Sequence, residues 1–191
     1  MSDPTAPPDG HAEPASQPGR SWRLRVAASS LIVAALVVVV DQITKHWAVN
    51  HLSDGREVHV LWTLQWNLAY NTGMAFSRGT GLGPVIALLA MVVVIVLVVS
   101  TARVESRLAR VAAGMLIGGA IGNLLDRVFR GDRTLHGAVI DFIDVQWWPI
   151  FNVADMGVTI GAVLFALASL RTPPSATTAS VESPASHAAD A

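Results

Sequence analysis

The chain has 191 residues, of which 52% are hydrophobic and only 14% are charged, and its formal net charge is −1. Soluble domains carry about 25% charged residues, so this composition is typical of a membrane protein. The near-neutral charge provides no basic surface for nucleic acid. The lack of cysteine excludes disulfides, thiolate metal sites and thiol nucleophiles. Its six histidines include no i,i+4 pair on a plausible helix, so we expect no metal site.

The two ends of the chain are poor in large apolar residues. Residues 1–21 contain five prolines, and residues 172–191 are rich in alanine, serine, threonine and proline. Segments of this composition cannot bury a hydrophobic core. We therefore predict two disordered tails on either side of a single membrane domain at residues 22–171.

Four apolar segments follow one another between the tails, at about 24–48, 82–102, 108–127 and 151–170. Each is close to the roughly 20 residues that a helix needs to cross the hydrocarbon core of a bilayer. The second segment has no charged residue and is apolar on every face, which argues against the buried helices of a soluble bundle. The first follows several arginines, as a signal peptide would, but no small-residue cleavage site follows it. We predict four retained transmembrane helices.

An even number of spans places both tails on the same side of the membrane. Lysine and arginine number seven on the tail side and six on the other, which decides little. Tryptophans are less evenly distributed, because five of them lie on the side opposite the tails. Tryptophan side chains favour the membrane interface. Packing within a soluble head would explain each single one equally well. They are Trp47, Trp62, Trp66, Trp147 and Trp148.

The two loops on that opposite side cover about 49–81 and 128–150. Between residues 57 and 69 of the first loop, apolar and polar residues alternate with one lapse at Leu61. This period of two predicts a strand that could lie on the membrane surface or form the wall of a cleft. Asn71-Thr72-Gly73 then predicts a turn.

The third segment combines small residues with polar ones. Gly114, Gly118 and Gly122 are spaced four apart, which allows helix backbones to approach closely in lipid. Asn123 carries an amide inside an apolar helix and needs a partner. Asp126 and Arg127 follow at the end of the segment, where they could simply anchor the helix at the interface.

Two further aspartates, Asp141 and Asp155, stand at the edges of an apolar stretch. A carboxylate at or near a bilayer is costly, at about 2.5–3.5 kcal/mol on insertion scales, and is a functional candidate for that reason. Asn152 and Asp155 are three apart and share a helix face, and Trp147-Trp148-Pro149 can turn the chain back so that the two aspartates meet. Such a pair could share one proton and activate water. Structural capping and an ion pathway remain alternatives.

Several local motifs together resemble the lipoprotein signal peptidase family, also called signal peptidase II. They occur in the family's order and lie within about residues 24–170. The matching blocks are Asp41-Gln42-Ile43-Thr44-Lys45, Asn71-Thr72-Gly73-Met74-Ala75-Phe76-Ser77, Gly118-Gly119-Ala120-Ile121-Gly122-Asn123-Leu124-Leu125-Asp126-Arg127, Val139-Ile140-Asp141-Phe142-Ile143 and Phe151-Asn152-Val153-Ala154-Asp155.

The resemblance implies an all-α protein of the bacterial cell membrane, with four transmembrane helices and a small extracytoplasmic loop domain that contains β-structure. Both termini would be cytoplasmic and the active site would lie near the outer face. By position, Asp141 and Asp155 match the family's catalytic pair. Further matches are polar residues that line or support its site: Asn71, Asn123, Arg127 and Asn152, with Asp41 and Asp126 in less defined roles.

The implied activity is that of an intramembrane aspartic endopeptidase without a cofactor. It would remove the signal peptide from a diacylglyceryl-modified prolipoprotein by cutting before the lipidated cysteine. Its other partner would be membrane lipid, and we expect a monomer.

Three other classes of protein compete with this interpretation. A small ion-coupled transporter or channel would use Asp41, Asp126, Asp141 and Asp155 as an ion path, but it should spread them through the depth of the bilayer. Here all four lie toward the same end of their segments. A membrane chaperone or assembly factor would need none of the four. A serine protease is disfavoured, since the sequence contains no Gly-x-Ser-x-Gly motif.

Overall fold

A computed structural model describes residues 20–73, 83–101 and 106–170, with side chains from residue 28 onward and none at Thr101. Helix α1 begins inside the predicted N-terminal tail. Residues 1–19 and 172–191 of the two tails, and Met74–Ser77 of the second matching block, lie outside the described residues. The elements in chain order are α1 (Arg20–Leu52), β1 (Val58–Leu61), β2 (Leu64–Asn71), α2 (Gly83–Thr101), α3 (Arg107–Phe129), β3 (Val139–Asp144) and α4 (Val153–Leu170).

Four helical segments in the described part of the chain are long and apolar enough to cross a membrane. They confirm the predicted membrane fold, and their bounds differ from the predicted ones by a few residues. Helix α2 is the most apolar, with a mean hydropathy of 2.9. Most of its side chains are exposed, as expected of a helix that faces lipid. The four segments are Ala28–Leu52, Gly83–Ser100, Arg107–Phe129 and Val153–Leu170.

Helix α3 packs against the other three helices. Its glycines permit this close packing, as the sequence predicts. A Cβ atom on Gly118 would lie 2.6 Å from the carbonyl oxygen of Ala34 in α1, and one on Gly119 would overlap the carbonyl oxygen of Ala154 in α4. Helix α3 therefore touches two neighbouring backbones through two adjacent faces.

The alternating run at 57–69 forms two strands rather than the single predicted one. The chain reverses at Trp62, whose φ of 54° lies in the left-handed region. An antiparallel hairpin results, in which Val58 pairs with Trp66 and Leu61 pairs with Leu64. The alternation of apolar and polar residues shows which side chains share a face. A two-residue turn does not interrupt this pattern, so the sequence does not reveal where the first strand ends.

Strand β3 adds to β2 and completes an antiparallel sheet in the order β1-β2-β3. The chain then turns back as predicted, because Phe151 exchanges backbone hydrogen bonds with Ile143 just before α4 begins. Phe142 is buried against Ala48 and Leu52 at the end of α1. The sheet is thus fixed to one end of the helices, and it carries Asp141 toward the start of α4.

Candidate active site

Asp141 is buried on β3, where two amides hold its carboxylate. Ala69 of β2 lies opposite it in the sheet. The diagonal neighbour Asn71 faces the same side, and its Nδ2 donates to Asp141 Oδ2 at 3.1 Å. Asn152 Nδ2 donates to Asp141 Oδ1 at 2.6 Å. The carboxylate is therefore fixed jointly by β2 and by the residue that precedes α4.

Asp155 lies in the first turn of α4 and takes part in the cap of that helix. Asn152 Oδ1 accepts the Asp155 backbone N–H at 2.9 Å, and Asp155 Oδ2 accepts the Asn152 backbone N–H at 3.3 Å. This reciprocal pair is a capping box, at the helix end that favours negative charge. Asn123 Nδ2 of α3 donates to Asp155 Oδ1 at 2.7 Å. Donors thus hold both oxygens of Asp155.

The two carboxylates share a partner and affect each other electrostatically. Asn152 contacts both of them. Burial raises the pKa of Asp141 to about 7, and the negative charge of Asp155 adds to the rise. The hydrogen bonds from Asn71 and Asn152 and the charge of Lys45 oppose it. The structure therefore brings together the two aspartates that the sequence identifies.

A cleft of about 620 Å³ opens beside Asp141 and Asp155. Asn71, Asn123 and Arg127 add polar groups to its lining, whereas the remaining walls are largely apolar and include side chains of α2. A second recess of about 450 Å³ shares Asn71 and Asp141 with the cleft and continues along residues 146–150. Asp141 and Asn71 therefore lie where the two recesses adjoin.

Arg127 forms part of the cleft wall although the side chain is almost fully buried. Its Nη2 donates to the carbonyl oxygen of Gly73 at 2.8 Å and so holds the predicted turn that follows Asn71. Its Nη1 has no hydrogen-bond partner among the described residues. A buried guanidinium N–H normally has an acceptor, and this atom lies close to Gly83 at the start of α2.

Asp41 and Asp126 do not line the cleft; they belong to a buried ionic cluster behind it. Lys45 Nζ lies 2.8 Å from Asp41 Oδ2 and 2.7 Å from Asp126 Oδ2. Arg130 Nε also donates to Asp126, at 2.7 Å. Asp41 Oδ1 accepts the backbone N–H of Ala154 at 2.8 Å, directly beside Asp155. The cluster therefore supports the end of α4 that carries Asp155.

Lys45 is a site residue that the sequence analysis does not identify. Its signal is the spacing of four from Asp41 within an apolar helix, which predicts an ion pair on one helix face. The cleft-lining residues Trp148, Pro149 and Ile150 also go unidentified as site residues. They carry no titratable group that would draw attention to them.

The arrangement has a defined chemical capacity. Two carboxyl groups in different environments border one cleft, and such a pair can hold a single proton and act as acid and base. In residues 20–73, 83–101 and 106–170, no three His, Asp or Glu side chains are grouped as metal ligands would be. The fold and the site define a multi-pass membrane protein with a carboxylate pair in a cleft at one end of its helices.

Comparison with known proteins assigns this chain to a family. The family model described as signal peptidase (SPase) II matches residues 33–171. The lipoprotein signal peptidase of Mycolicibacterium smegmatis is 42% identical over 170 residues, which are 88% of this chain and 70% of that protein. That of Mycobacterium avium is 43% identical over 164 residues, or 85% and 87% of the two chains. The chain belongs to the signal peptidase II family.

A solved structure supports the same assignment. A bacterial membrane enzyme determined at 2.3 Å resolution superposes with a TM-score of 0.66 and is 30% identical, covering 75% of this chain and 88% of that one. The helices and the bacterial relatives together describe a bacterial multi-pass membrane protein. Family membership favours a peptidase over the transporter or channel considered from the sequence.

The raised pKa of Asp141 predicts how stability depends on pH. Between its ordinary pKa of 3.8 and about 7, the folded protein binds a proton at Asp141 that the unfolded chain does not. The contribution of Asp141 to the free energy of unfolding is therefore fully present below about pH 4 and is lost as the pH rises to about 7. Asp141→Asn should remove this part of the pH dependence. Thermal unfolding in detergent at several pH values measures it, and equal slopes for wild type and variant would contradict the prediction.

Proposed function

We propose that this protein is an aspartic endopeptidase that removes the signal peptide from diacylglyceryl-modified prolipoproteins. It would cut the peptide bond just before the lipidated cysteine. One observation carries the proposal: Asp141 and Asp155, from a strand and a helix, border the same cleft. The names of the relatives, lipoprotein signal peptidase, support the class of substrate.

The environments of the two aspartates favour different roles. Asp141 is the acid, because burial keeps its proton in place up to about pH 7. Asp155 is the base, because an amide and a backbone N–H donate to its oxygens at the positive end of α4. These contacts hold the Asp155 oxygens in place to accept a proton from water. The proton that Asp141 retains makes it the acid of the pair.

The reaction proceeds in two steps. Asp155 takes a proton from water while the water oxygen bonds to the scissile carbonyl carbon, and Asp141 gives its proton to the carbonyl oxygen. The tetrahedral diol then collapses. The carbon–nitrogen bond breaks as Asp155 passes its proton to the leaving amine, and Asp141 recovers a proton from the diol hydroxyl. The sum is the addition of one water molecule across the peptide bond.

The remaining site residues orient the pair and the substrate. Asn71, Asn123 and Asn152 fix the two carboxylates through the hydrogen bonds described above. Arg127 lines the cleft and holds the turn at Gly73 that follows Asn71. Asp41 and Asp126 act from behind the cleft, since neither lines it. None of these roles requires a metal or an organic cofactor.

The walls of the cleft suit a lipidated substrate. On α2, Leu89 and Val93 both line the cleft and are exposed on the helix surface, where lipid would surround them. Acyl chains could therefore remain in the bilayer while the modified cysteine reaches Asp141. We propose that the catalytic end faces outward, that both tails are cytoplasmic, and that the protein acts as a monomer on substrates drawn from the membrane.

A direct assay tests this function. The purified full-length protein is incubated with a precursor that carries the diacylglyceryl group and with the same precursor without it, and mass spectrometry identifies the products. We expect cleavage before the cysteine in the modified precursor only. Equal cleavage of both precursors would contradict the proposed specificity, and cleavage of neither would contradict the proposed activity.

A further inference from the structure

Lys45 is a fully enclosed cation outside the cleft. Its side chain is 0% exposed, and its ammonium has three hydrogen-bond donors. Two of them meet the carboxylates of Asp41 and Asp126 at 2.8 and 2.7 Å. The third meets Asn123 Oδ1 at 2.9 Å. All three donors are therefore satisfied, and one is directed to the amide that holds Asp155.

The cluster around Lys45 is balanced without that third contact. Asp41 also accepts hydrogen bonds from Gln42 and from the backbone of Ala154. Asp126 also accepts from Arg130 and from the backbone of Ile140. Charge balance needs only the two carboxylates, and any neighbouring carbonyl oxygen could accept the third N–H of the buried ammonium. The bond to Asn123 instead connects the cluster to the reaction site.

The contact determines which way the Asn123 amide faces. Asn123 Oδ1 accepts from Lys45 Nζ at 2.9 Å and from Asn152 Nδ2 at 3.1 Å. A flipped amide would place its NH₂ group against an ammonium and a second NH₂ group, with no acceptor among them. The Asn123 NH₂ group must therefore face Asp155, to which it donates at 2.7 Å.

We propose that Lys45 is a positioning residue for peptide hydrolysis, which acts through Asn123 to hold the carboxylate of Asp155 in place as the base at the cleft. This inference rests on the proposed function. Lys45 does not line the cleft and so does not meet the substrate. Its effect should fall on the rate of the chemical step and leave substrate binding unaltered.

The charge of Lys45 also acts on the other aspartate. It lowers the pKa of Asp141, against the larger upward effects of burial and of the Asp155 charge. The other charged groups around this pair belong to the ionic cluster and the cleft wall: Asp41 on α1, and Asp126, Arg127 and Arg130 on α3. Removal of the Lys45 charge should therefore extend activity to higher pH, because Asp141 keeps its proton longer.

A double-mutant cycle tests the proposal with Lys45→Met, Asn123→Ala and the two combined. We expect Lys45→Met to lower kcat about 10–100-fold with KM unchanged, by analogy with loss of the hydrogen-bond partner behind a metal ligand. Adding it to Asn123→Ala should lower kcat no further. The alkaline limb of the pH profile should move to higher pH in Lys45→Met. The full-length protein and the diacylglyceryl-modified precursor are used throughout.

Lys45→Met leaves two buried carboxylates with one cation fewer, so it could fail to fold. The cycle is then repeated in an Asp41→Asn background, which removes one of the two negative charges. The amide oxygen of the substituted side chain can still accept the Ala154 N–H, and Asp126 keeps Arg130. Each of four outcomes would overturn the proposal: additive losses of kcat, a change in KM alone, an unchanged pH profile, or failure to fold in this background as well.

Failure of the inference is distinguishable from failure of the proposed function. If Asp141→Asn and Asp155→Asn are inactive while Lys45→Met keeps the wild-type kcat, only the role of Lys45 is wrong. If both aspartate variants still cleave the precursor at the wild-type rate, the proposed function itself is wrong.

Discussion

Replacement of either Asp141 or Asp155 by asparagine is expected to abolish measurable cleavage of the modified precursor while leaving the protein folded. Each change removes one partner of the acid–base pair, and general acid–base catalysis contributes about 10²–10⁴-fold to the rate. Asparagine has nearly the same shape and can neither take a proton from water nor give one to a carbonyl oxygen. Initial rates with the purified variants measure the loss, and the position of the unfolding transition reports the fold.

Asp144→Asn is the matched control for this experiment. Asp144 lies on the same strand as Asp141, accepts hydrogen bonds from the side chains of Gln65 and Asn67, and does not line the cleft. Its variant should cleave at close to the wild-type rate. Wild-type rates for Asp141→Asn or Asp155→Asn would exclude the two-carboxylate mechanism, and a loss as large for Asp144→Asn would show that the assay responds to general damage.

Gly119→Ala is expected to produce a large loss of stability from a single methyl group. Its Cβ would overlap the carbonyl oxygen of Ala154 and lie 2.8 Å from Val158 Cγ2. Backbone cannot move aside as a flexible side chain can, so α3 and α4 must separate. Overpacking of this kind costs about 1–3 kcal/mol or more. Because Ala154 adjoins Asp155, we expect activity to fall as well, which thermal unfolding and rate measurements on the same sample detect together.

Gly157→Ala provides the comparison, since it makes the same chemical change at the same helix interface. The nearest atoms to its Cβ would be Val37 Cγ1 at 3.1 Å and the Met115 carbonyl oxygen at 3.3 Å. These distances require shifts of only a few tenths of an ångström. The variant should unfold near the wild-type temperature. If both variants lose the same stability, close backbone approach at Gly119 is not the cause.

The membrane helices and the acidic residues could be predicted because both are local signals. A run of about 20 apolar residues predicts a span wherever it occurs, and α2 shows it most clearly. An aspartate beside such a run stands out against it. The matching motifs indicated the family, and the comparisons confirm that assignment over residues 33–171.

The sheet was less predictable, for a physical reason. Strand β3 has the sequence Val-Ile-Asp-Phe-Ile-Asp, in which apolar and polar residues do not alternate, and nearly all of it is buried. It forms because β2, some 70 residues earlier, offers it a row of backbone partners. The turn at Trp62 was missed because alternation alone does not distinguish one strand from a tight hairpin.

The sequence by itself determined four apolar spans, a stripe of glycines along α3 and the two aspartates beside α4. Only the tertiary structure decided how the charges are distributed. It placed Asp141 and Asp155 at the cleft, and it enclosed Asp41 and Asp126 with Lys45 behind it. A carboxylate's role depends on burial and on partners that lie far away along the chain, such as Asn123 for Asp155. Those partners become neighbours only when the helices and the sheet pack together.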